Sequence, residues 1–146
     1  MMSEERAEGM HAWPTGRLLA TASRLVEHAW TQKLDRLGLT HAGLVVLHLL
    51  QDGPLSQTDL ARLARVENQT ISRTLERLQR EDFVERRPDE SDRRRHVVTV
   101  TQAGIDVWNA AQSLERDMMP TVNDSELFRQ MLLQVIDSSA AKRWEP

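Results

Sequence analysis

The chain has 146 residues, a length that suits one domain with a substantial hydrophobic core. It contains no cysteine, which excludes disulfides, thiolate metal ligands and the sensing of oxidants through a thiol. The formal net charge of −3 describes the whole surface and is compatible with a basic contact face on one side of it.

The sequence also argues against a membrane protein, an enzyme and a metalloprotein. No apolar run approaches the roughly 20 residues that span a bilayer, and residues 1–12 lack the apolar segment of a signal peptide, so we expect a cytoplasmic protein. There is no phosphate-binding glycine loop, nucleophile elbow or H-E-x-x-H motif. His41 and His48 are seven residues apart among aliphatic residues, which favours partly buried histidines over metal ligands. We therefore expect no catalysis, cofactor or metal.

The first predicted helix covers residues 13–37 and is apolar over much of its circumference. Two neighbouring apolar stripes run along it, formed by Leu18, Ala22, Leu25 and Ala29 and by Leu19, Val26, Trp30, Leu34 and Leu37. A helix with so wide an apolar face needs partners on more than one side, so it would contact both its own domain and a second subunit. Gly38 ends this helix, and Thr40 caps a buried one that runs to about Gln51.

Two short helices separated by a tight break follow the stop signal at residues 52–54. Ser56 caps the first, and its apolar residues Leu60, Leu63 and Ala64 are expected on one face. The second begins near Asn68, and its apolar stripe consists of Ile71, Leu75 and Leu78. Two such helices joined by a turn are typical of a helix-turn-helix, in which the second helix reads DNA.

The pattern then changes to that of short β-strands, predicted over residues 83–86 and 96–100. The polar loop between them makes the whole a winged helix-turn-helix. Residues 86–96 contain five arginines and three carboxylates, a local charge of +2. The carboxylates, on Asp89, Glu90 and Asp92, are interpreted as charge balance.

Two further helices close the chain. Thr101 caps the first, which carries Val107, Ala111, Leu114 and Met118 and is interrupted at Met119-Pro120. Asn123, with Glu126 three residues on, predicts a capping box that starts the last helix. The predicted fold is mainly α with a small β-wing (α+β), with a helical dimerisation region over residues 13–37 and 102–144. Residues 40–101 form the winged helix-turn-helix lobe.

The stretch from residue 56 to residue 104 resembles the DNA-binding core of MarR-family transcriptional regulators. The similarity rests on Thr70-Ile71-Ser72-Arg73 and on Asp92-Arg93-Arg94 followed by Val98-Thr99-Val100-Thr101 and Gly104, close to the family's D-x-R…LT…G signature. The resemblance implies a homodimer whose terminal helices interlock, and a very short strand near Leu55. The chain departs from the family at Asp82, where glycine is usual; aspartate tolerates the left-handed conformation better than most residues.

Ten residues are candidates for DNA contact. On the reading helix they are Asn68, Gln69, Thr70, Ser72, Arg73 and Arg77, and on the wing they are Asp92, Arg93, Arg94 and Arg95. By the family's pattern Arg94 enters the minor groove and Asp92 orients it. Each prediction has an alternative without DNA. The polar face of the reading helix could simply be solvated, with Thr70 as its cap, and Arg77 could form an ion pair with Glu81 one turn along. The wing arginines could form salt bridges with Asp89 and Glu90.

A small aromatic or anionic effector is the other partner that the resemblance implies. The helices that would border such a site carry Trp13, Arg17, Trp30, His48 and Trp108. Aromatic rings together with one arginine would suit an anionic aromatic ligand. The alternative is that these tryptophans fill the core. The function predicted from the sequence is a homodimeric repressor of a pseudo-palindromic operator. Two other hypotheses stay open, a winged-helix module that binds protein instead of DNA, and a small-ligand binding protein or enzyme.

Overall fold

The computed structural model describes residues 9–119 and 122–138. In chain order the elements are α1 (Thr15–Arg36), α2 (His41–Leu49), a 3-10 turn (Leu50–Asp52), β1 (Leu55–Ser56), α3 (Gln57–Ala64), α4 (Asn68–Arg80), β2 (Val84–Pro88), β3 (His96–Val100), α5 (Gln102–Met118) and α6 (Ser125–Ile136). This architecture confirms the predicted fold class. Across the described part of the chain, no helix combines the length and apolarity needed to cross a lipid bilayer.

The sheet has three antiparallel strands in the order β1-β3-β2. The two-residue strand β1 pairs Leu55 with Val98, as the resemblance implied. Strand β2 was predicted over residues 83–86 but runs from Val84 to Pro88, because β3 offers a partner to each of its residues as far as His96. Pro88 is tolerated there because β2 is an edge strand, where a missing N–H donor costs little.

The predicted helix starts at Thr40, Ser56 and Thr101 are confirmed. In each case the side-chain oxygen accepts a hydrogen bond from the backbone N–H three residues later, at 3.0, 3.1 and 3.0 Å respectively. Helix α2 ends at Leu49, two residues before the predicted end, because its last turn tightens into the 3-10 turn ahead of Gly53.

The predicted cap of the last helix is one residue off. Asp124, with φ 55°, accepts a hydrogen bond from the Leu127 N–H at 3.1 Å, so α6 begins at Ser125 and Asn123 is not the cap. Glu126 instead accepts from the Gln130 side chain one turn along. Helix α5 ends at Met118, next to the predicted interruption, but Pro120 and residues 139–144 of the predicted dimerisation region lie outside the described residues.

The hydrophobic core joins the helix-turn-helix and the sheet to α1 and α5, which contribute Leu34 and Ala111. Its most buried side chains come from α2, α3, α4 and β3, among them Leu47, Leu60, Leu75 and Val98, all with 0% exposure. Leu63 was predicted on the same face of α3 as Leu60 and Ala64 but is 43% exposed. At about 100° per residue it points roughly 100° away from the direction shared by Leu60, Ala61 and Ala64. Ala61 is buried in its place.

The junction between α4 and β2 fixes the wing relative to α5. Asp82 adopts the left-handed conformation, with φ 62°, as expected for the position where the family has glycine. Its carbonyl accepts a 2.6 Å hydrogen bond from the Thr101 hydroxyl, and the Phe83 carbonyl accepts from the Thr101 N–H at 3.0 Å. The first turn of α5 is therefore bonded directly to the entrance of the wing.

Candidate nucleic-acid interface

Helix α4 presents a polar face to solvent because its opposite face is anchored in the core. Ile71, Leu75 and Leu78 are buried at 1%, 0% and 2% exposure. Gln69 and Arg73, one turn apart, lie near the middle of the exposed face. Asn68 and Thr70 are exposed beside them, and Ser72 is half-buried.

The alternative role of Thr70 as a helix cap is wrong. The N-cap of α4 is Glu67, and Thr70 lies inside the first turn, where its carbonyl accepts from the Thr74 hydroxyl at 2.9 Å. The Thr70 side chain is therefore not engaged in capping.

Two arginines near the reading helix contact the terminal helices α1 and α6. Arg77 pairs with Asp35 of α1, with 3.3 Å between Nη2 and Oδ1, and not with Glu81. Arg65, which ends α3 in the left-handed conformation, donates to the Ile136 carbonyl at 3.2 Å and lies 3.6 Å from the Asp137 carboxylate. A phosphate contact by Arg77 would have to share or break its ion pair.

The wing tip orients one arginine through an aspartate. Asp92 Oδ1 accepts hydrogen bonds from the Arg94 backbone N–H at 3.1 Å and from Arg94 Nε at 3.2 Å. The Arg94 side chain is 92% exposed. Asp92 therefore holds the Nε edge of the guanidinium while the Arg94 side chain as a whole is open to solvent, the arrangement that the resemblance implied. Arg93 and Arg95 are also exposed.

A second aspartate folds the wing. Asp89 Oδ1 accepts from the Ser91 N–H at 2.9 Å and from the Ser91 hydroxyl at 2.8 Å, and the Asp89 N–H donates to the Arg95 carbonyl at 2.8 Å. The pKa of Asp89 is lowered, first by the Ser91 N–H, then by the Ser91 hydroxyl and more weakly by the Arg95 charge. Asp89 therefore serves as the acceptor of a tight turn, and the salt bridge at the tip is that of Arg94 with Asp92.

The wing turn should consequently depend on the charge of Asp89. Because the folded pKa is lowered, the stabilisation is present above the unfolded pKa and is lost as the pH falls through the folded pKa. Carbon-13 NMR titration of the Asp89 carboxyl should give a pKa below that of an unstructured aspartate. Ser91→Ala should raise it, because one of the two serine donors is lost, and Ser113→Ala on α5 should not. Equal values in all three proteins would contradict this role.

A cleft of about 260 Å³ separates the wing from the first turns of α3 and α4. We call it the wing cleft; its lining residues are Ser56, Gln57, Thr58, Asn68, Arg94, Arg95 and His96. It brings together predicted contacts from the wing and from the reading helix. Gln57 and Thr58 also line the cleft but were not among the predicted contacts, although their place directly after the Ser56 cap marks them as a helix start.

The five residues predicted to border an effector site fall into three separate contacts. The Arg17 guanidinium lies 5.5 Å from the Trp13 ring, the Trp30 ring 5.6 Å from His41, and the His48 ring 5.9 Å from Trp108. Trp30 and Trp108 also pack against the core, which agrees with the alternative that the tryptophans fill the core.

Only Trp30 among these five lines the apolar groove that lies between α1, the end of α5 and α6. This groove has a volume of about 450 Å³, and its lining includes Leu19, Val26, Phe128 and Leu132. The buried Trp30 Nε1 has no hydrogen-bond partner among the residues that the structure describes. A shared pocket for the five residues stays a prediction.

Comparison with known proteins identifies the family. A model described as the MarR family matches residues 39–96, from the end of the first loop to the start of β3. The HTH-type transcriptional repressor NicR of Pseudomonas putida is 31% identical over 130 residues, covering 84% of this chain and 82% of NicR. The chain belongs to the MarR family.

Solved structures extend this similarity to the described helices outside the matched segment. The crystal structure of MarR superimposes with a TM-score of 0.78 at 27% identity, covering 92% of this chain and 97% of MarR. Bordetella bronchiseptica BpsR, whose DNA binding is regulated by 6-hydroxynicotinic acid, gives a TM-score of 0.71 at 25% identity, covering 84% of this chain and 98% of BpsR. These matches confirm the resemblance and the fold of this MarR-family chain. The 39–96 segment contains all ten candidate DNA-contact residues.

Proposed function

We propose that this MarR-family regulator binds double-stranded DNA as a homodimer and represses transcription from a pseudo-palindromic operator. The observation that carries the proposal is the wing tip, where Asp92 holds an exposed Arg94 by two hydrogen bonds. A narrow minor groove has a strongly negative potential and attracts such an arginine. The reported regulation of DNA binding in BpsR supports the same function here.

Helix α4 would then occupy the adjacent major groove. Arg73 can bond a guanine edge with both arms of its guanidinium, and the Asn68 and Gln69 amides can bond adenine. Thr70 and Ser72 can contact bases or phosphate, and Arg93 and Arg95 can contact phosphate. Specificity would come from residues 68–73 and Arg94, and affinity from the remaining arginines.

The proposed dimer would form through the terminal helices. Most of the large apolar side chains that are exposed in one described chain lie on α1, at the end of α5 and on α6: Leu18, Leu19, Leu25, Met119, Leu127, Met131, Leu133, Val135 and Ile136. A second copy covering them would remove this surface from water. In this division, residues 13–37 and 102–144 dimerise and residues 40–101 bind DNA. Two-fold symmetry would place the two copies of α4 about 34–36 Å apart, the spacing of successive major grooves.

The regulator would act in the cytoplasm, without catalysis, and would respond to a small aromatic or anionic effector. The regulation of BpsR by an aromatic acid supports this class of effector. The groove lined by Trp30 is apolar and has a volume of about 450 Å³, which suits the ring of such a molecule. Its binding would change the separation of the reading helices and so weaken engagement of both half-sites.

The test is selection of duplexes from a random library, followed by fluorescence anisotropy over a range of salt concentrations. We expect an enriched palindromic sequence whose log affinity falls with log salt by about 0.9 for each neutralised phosphate. Light scattering of the free protein should give twice the chain mass of 16.8 kDa. Failure to enrich any sequence would favour the protein-binding alternative.

A further inference from the structure

The wing cleft is lined by hydrogen-bond donors. Its lining residues carry the guanidinium groups of Arg94 and Arg95, the His96 imidazole, two side-chain amides and two hydroxyls, and none of these lining residues is a carboxylate. Two carboxylates close in sequence to these residues, on Asp59 and Asp92, lie within ion-pair distance of Arg62 and Arg94. A cleft of this composition suits an anionic group whose oxygens accept several hydrogen bonds.

A neighbouring arginine fixes the orientation of the Gln57 amide. Arg86 Nη1, on β2, donates to Gln57 Oε1 over 3.2 Å in a partly buried contact. A guanidinium can only donate, so the Gln57 carbonyl oxygen must face Arg86. The two N–H groups of Gln57 Nε2 are left on the other side of the amide, where Gln57 lines the cleft.

The start of α3 adds further donors at the same place. Gln57 and Thr58 are the first two residues of this helix, so their backbone N–H groups have no acceptor within it. The Thr58 side chain is exposed at the cleft.

The docking proposed above determines what reaches the cleft. If α4 occupies a major groove and the wing the adjacent minor groove, the sugar-phosphate strand separating the two grooves must pass between them. The wing cleft lies between these two elements. We propose that it holds one phosphodiester of the DNA backbone in each half-site, bound by Gln57, Thr58 and Arg95. Arg86 is a positioning residue that orients Gln57 and does not touch DNA. This inference rests on the proposed function.

A contact of this kind sets the register of the protein on the duplex without reading sequence. Gln57→Leu should therefore weaken binding to specific and random duplexes by the same factor, roughly tenfold for each half-site, which is the effect of losing one hydrogen bond to a charged group. It should not change the dependence on salt, because glutamine neutralises no phosphate. Arg95→Gln should reduce the salt slope by about 0.9 for each half-site.

The decisive experiment replaces single phosphates. A duplex selected by the wild-type protein is prepared as a series, each member carrying one neutral methylphosphonate per half-site at a different position. We expect one position, next to the base pairs that the wing contacts, where the wild type loses about tenfold in affinity for each half-site. Gln57→Leu should lose clearly less at this position, because only the contacts of Thr58 and Arg95 remain to be lost. The two changes would then be non-additive, as for groups in direct contact. Thr58→Val, an exposed substitution that keeps the side-chain shape, should show the same coupling. The matched control, Gln102→Leu at the start of α5, should behave as wild type.

Arg86 is tested by conservative rescue. Arg86→Met should lose part of the sensitivity at the same phosphate with an unchanged salt slope, and Arg86→Lys should restore it, because lysine can also donate to Gln57 Oε1. If the wild type selects a sequence but Gln57→Leu and Thr58→Val keep full sensitivity at every methylphosphonate, the cleft proposal is overturned and the proposed function stands. If the wild type selects no sequence, both fail.

Discussion

Replacing both Arg73 and Arg94 with alanine is expected to abolish sequence-specific DNA binding. Each side chain is exposed and, in the proposed complex, contacts a different groove. A good arginine–base contact contributes about 1–3 kcal/mol of discrimination, and contacts in separate grooves should add. The homodimer loses both contacts in each half-site, so the double variant should bind the selected duplex at least roughly 700-fold more weakly, and its affinity for random DNA limits the loss. Fluorescence anisotropy with both duplexes measures this loss.

The single variants and a charge control separate the contributions of Arg73, Arg94 and net charge to the loss of DNA affinity. Arg73→Ala should relax the preference at one base pair of the major groove, and Arg94→Ala should relax it in the flanking minor-groove segment. Arg36→Ala removes the same charge from the exposed end of α1 and should leave the affinity for both duplexes nearly unchanged. If the double variant bound the selected duplex as well as the wild type does, neither side chain would read DNA, and the protein-binding alternative would gain support.

Gly104→Ala is expected to cause the largest loss of stability among single-methyl additions at the described glycines. A Cβ at Gly104 would overlap the Phe83 carbonyl oxygen and lie 2.7 Å from Val100 Cγ2. The backbone carbonyl cannot rotate away, because it accepts the hydrogen bond from the Thr101 N–H. Overpacking of this kind costs about 1–3 kcal/mol, and the involvement of backbone points to the upper end. Urea denaturation monitored by circular dichroism gives the difference in the free energy of unfolding.

Gly16→Ala is the matched control. A Cβ at Gly16 would have no neighbouring atom within 4 Å, and Gly16 lies in the first turn of α1. Alanine there should stabilise the protein by up to about 1 kcal/mol, since it reduces the conformational freedom of the unfolded chain. Similar changes in the free energy of unfolding for both variants would show that the contact of Gly104 with the Phe83 carbonyl leaves room for a methyl group. Because that approach positions the wing, Gly104→Ala should also weaken DNA binding at temperatures where the protein stays folded.

The sequence by itself determined the order and kind of the elements. Thr40, Ser56 and Thr101 start helices because each bonds a backbone N–H only three residues away, and Asp82 adopts the conformation expected at its turn. These interactions are complete within a few residues, so the local pattern carries them whatever the rest of the chain does. The Asp92–Arg94 contact at the wing tip is local in the same sense.

Only the tertiary structure decided how those elements face one another. The ion pair of Arg77 with Asp35 joins residues 42 apart, and the hydrogen bond that orients Gln57 comes from Arg86, 29 residues away. Leu63 and Ala61 flank Leu60 on opposite sides of α3, and the core covers the side that holds Ala61. Helical and strand periodicity specifies which residues share a face, but the packing of distant elements decides which face is covered and which side chains meet. The wing cleft exists only because the β2–β3 hairpin folds back over the start of α3.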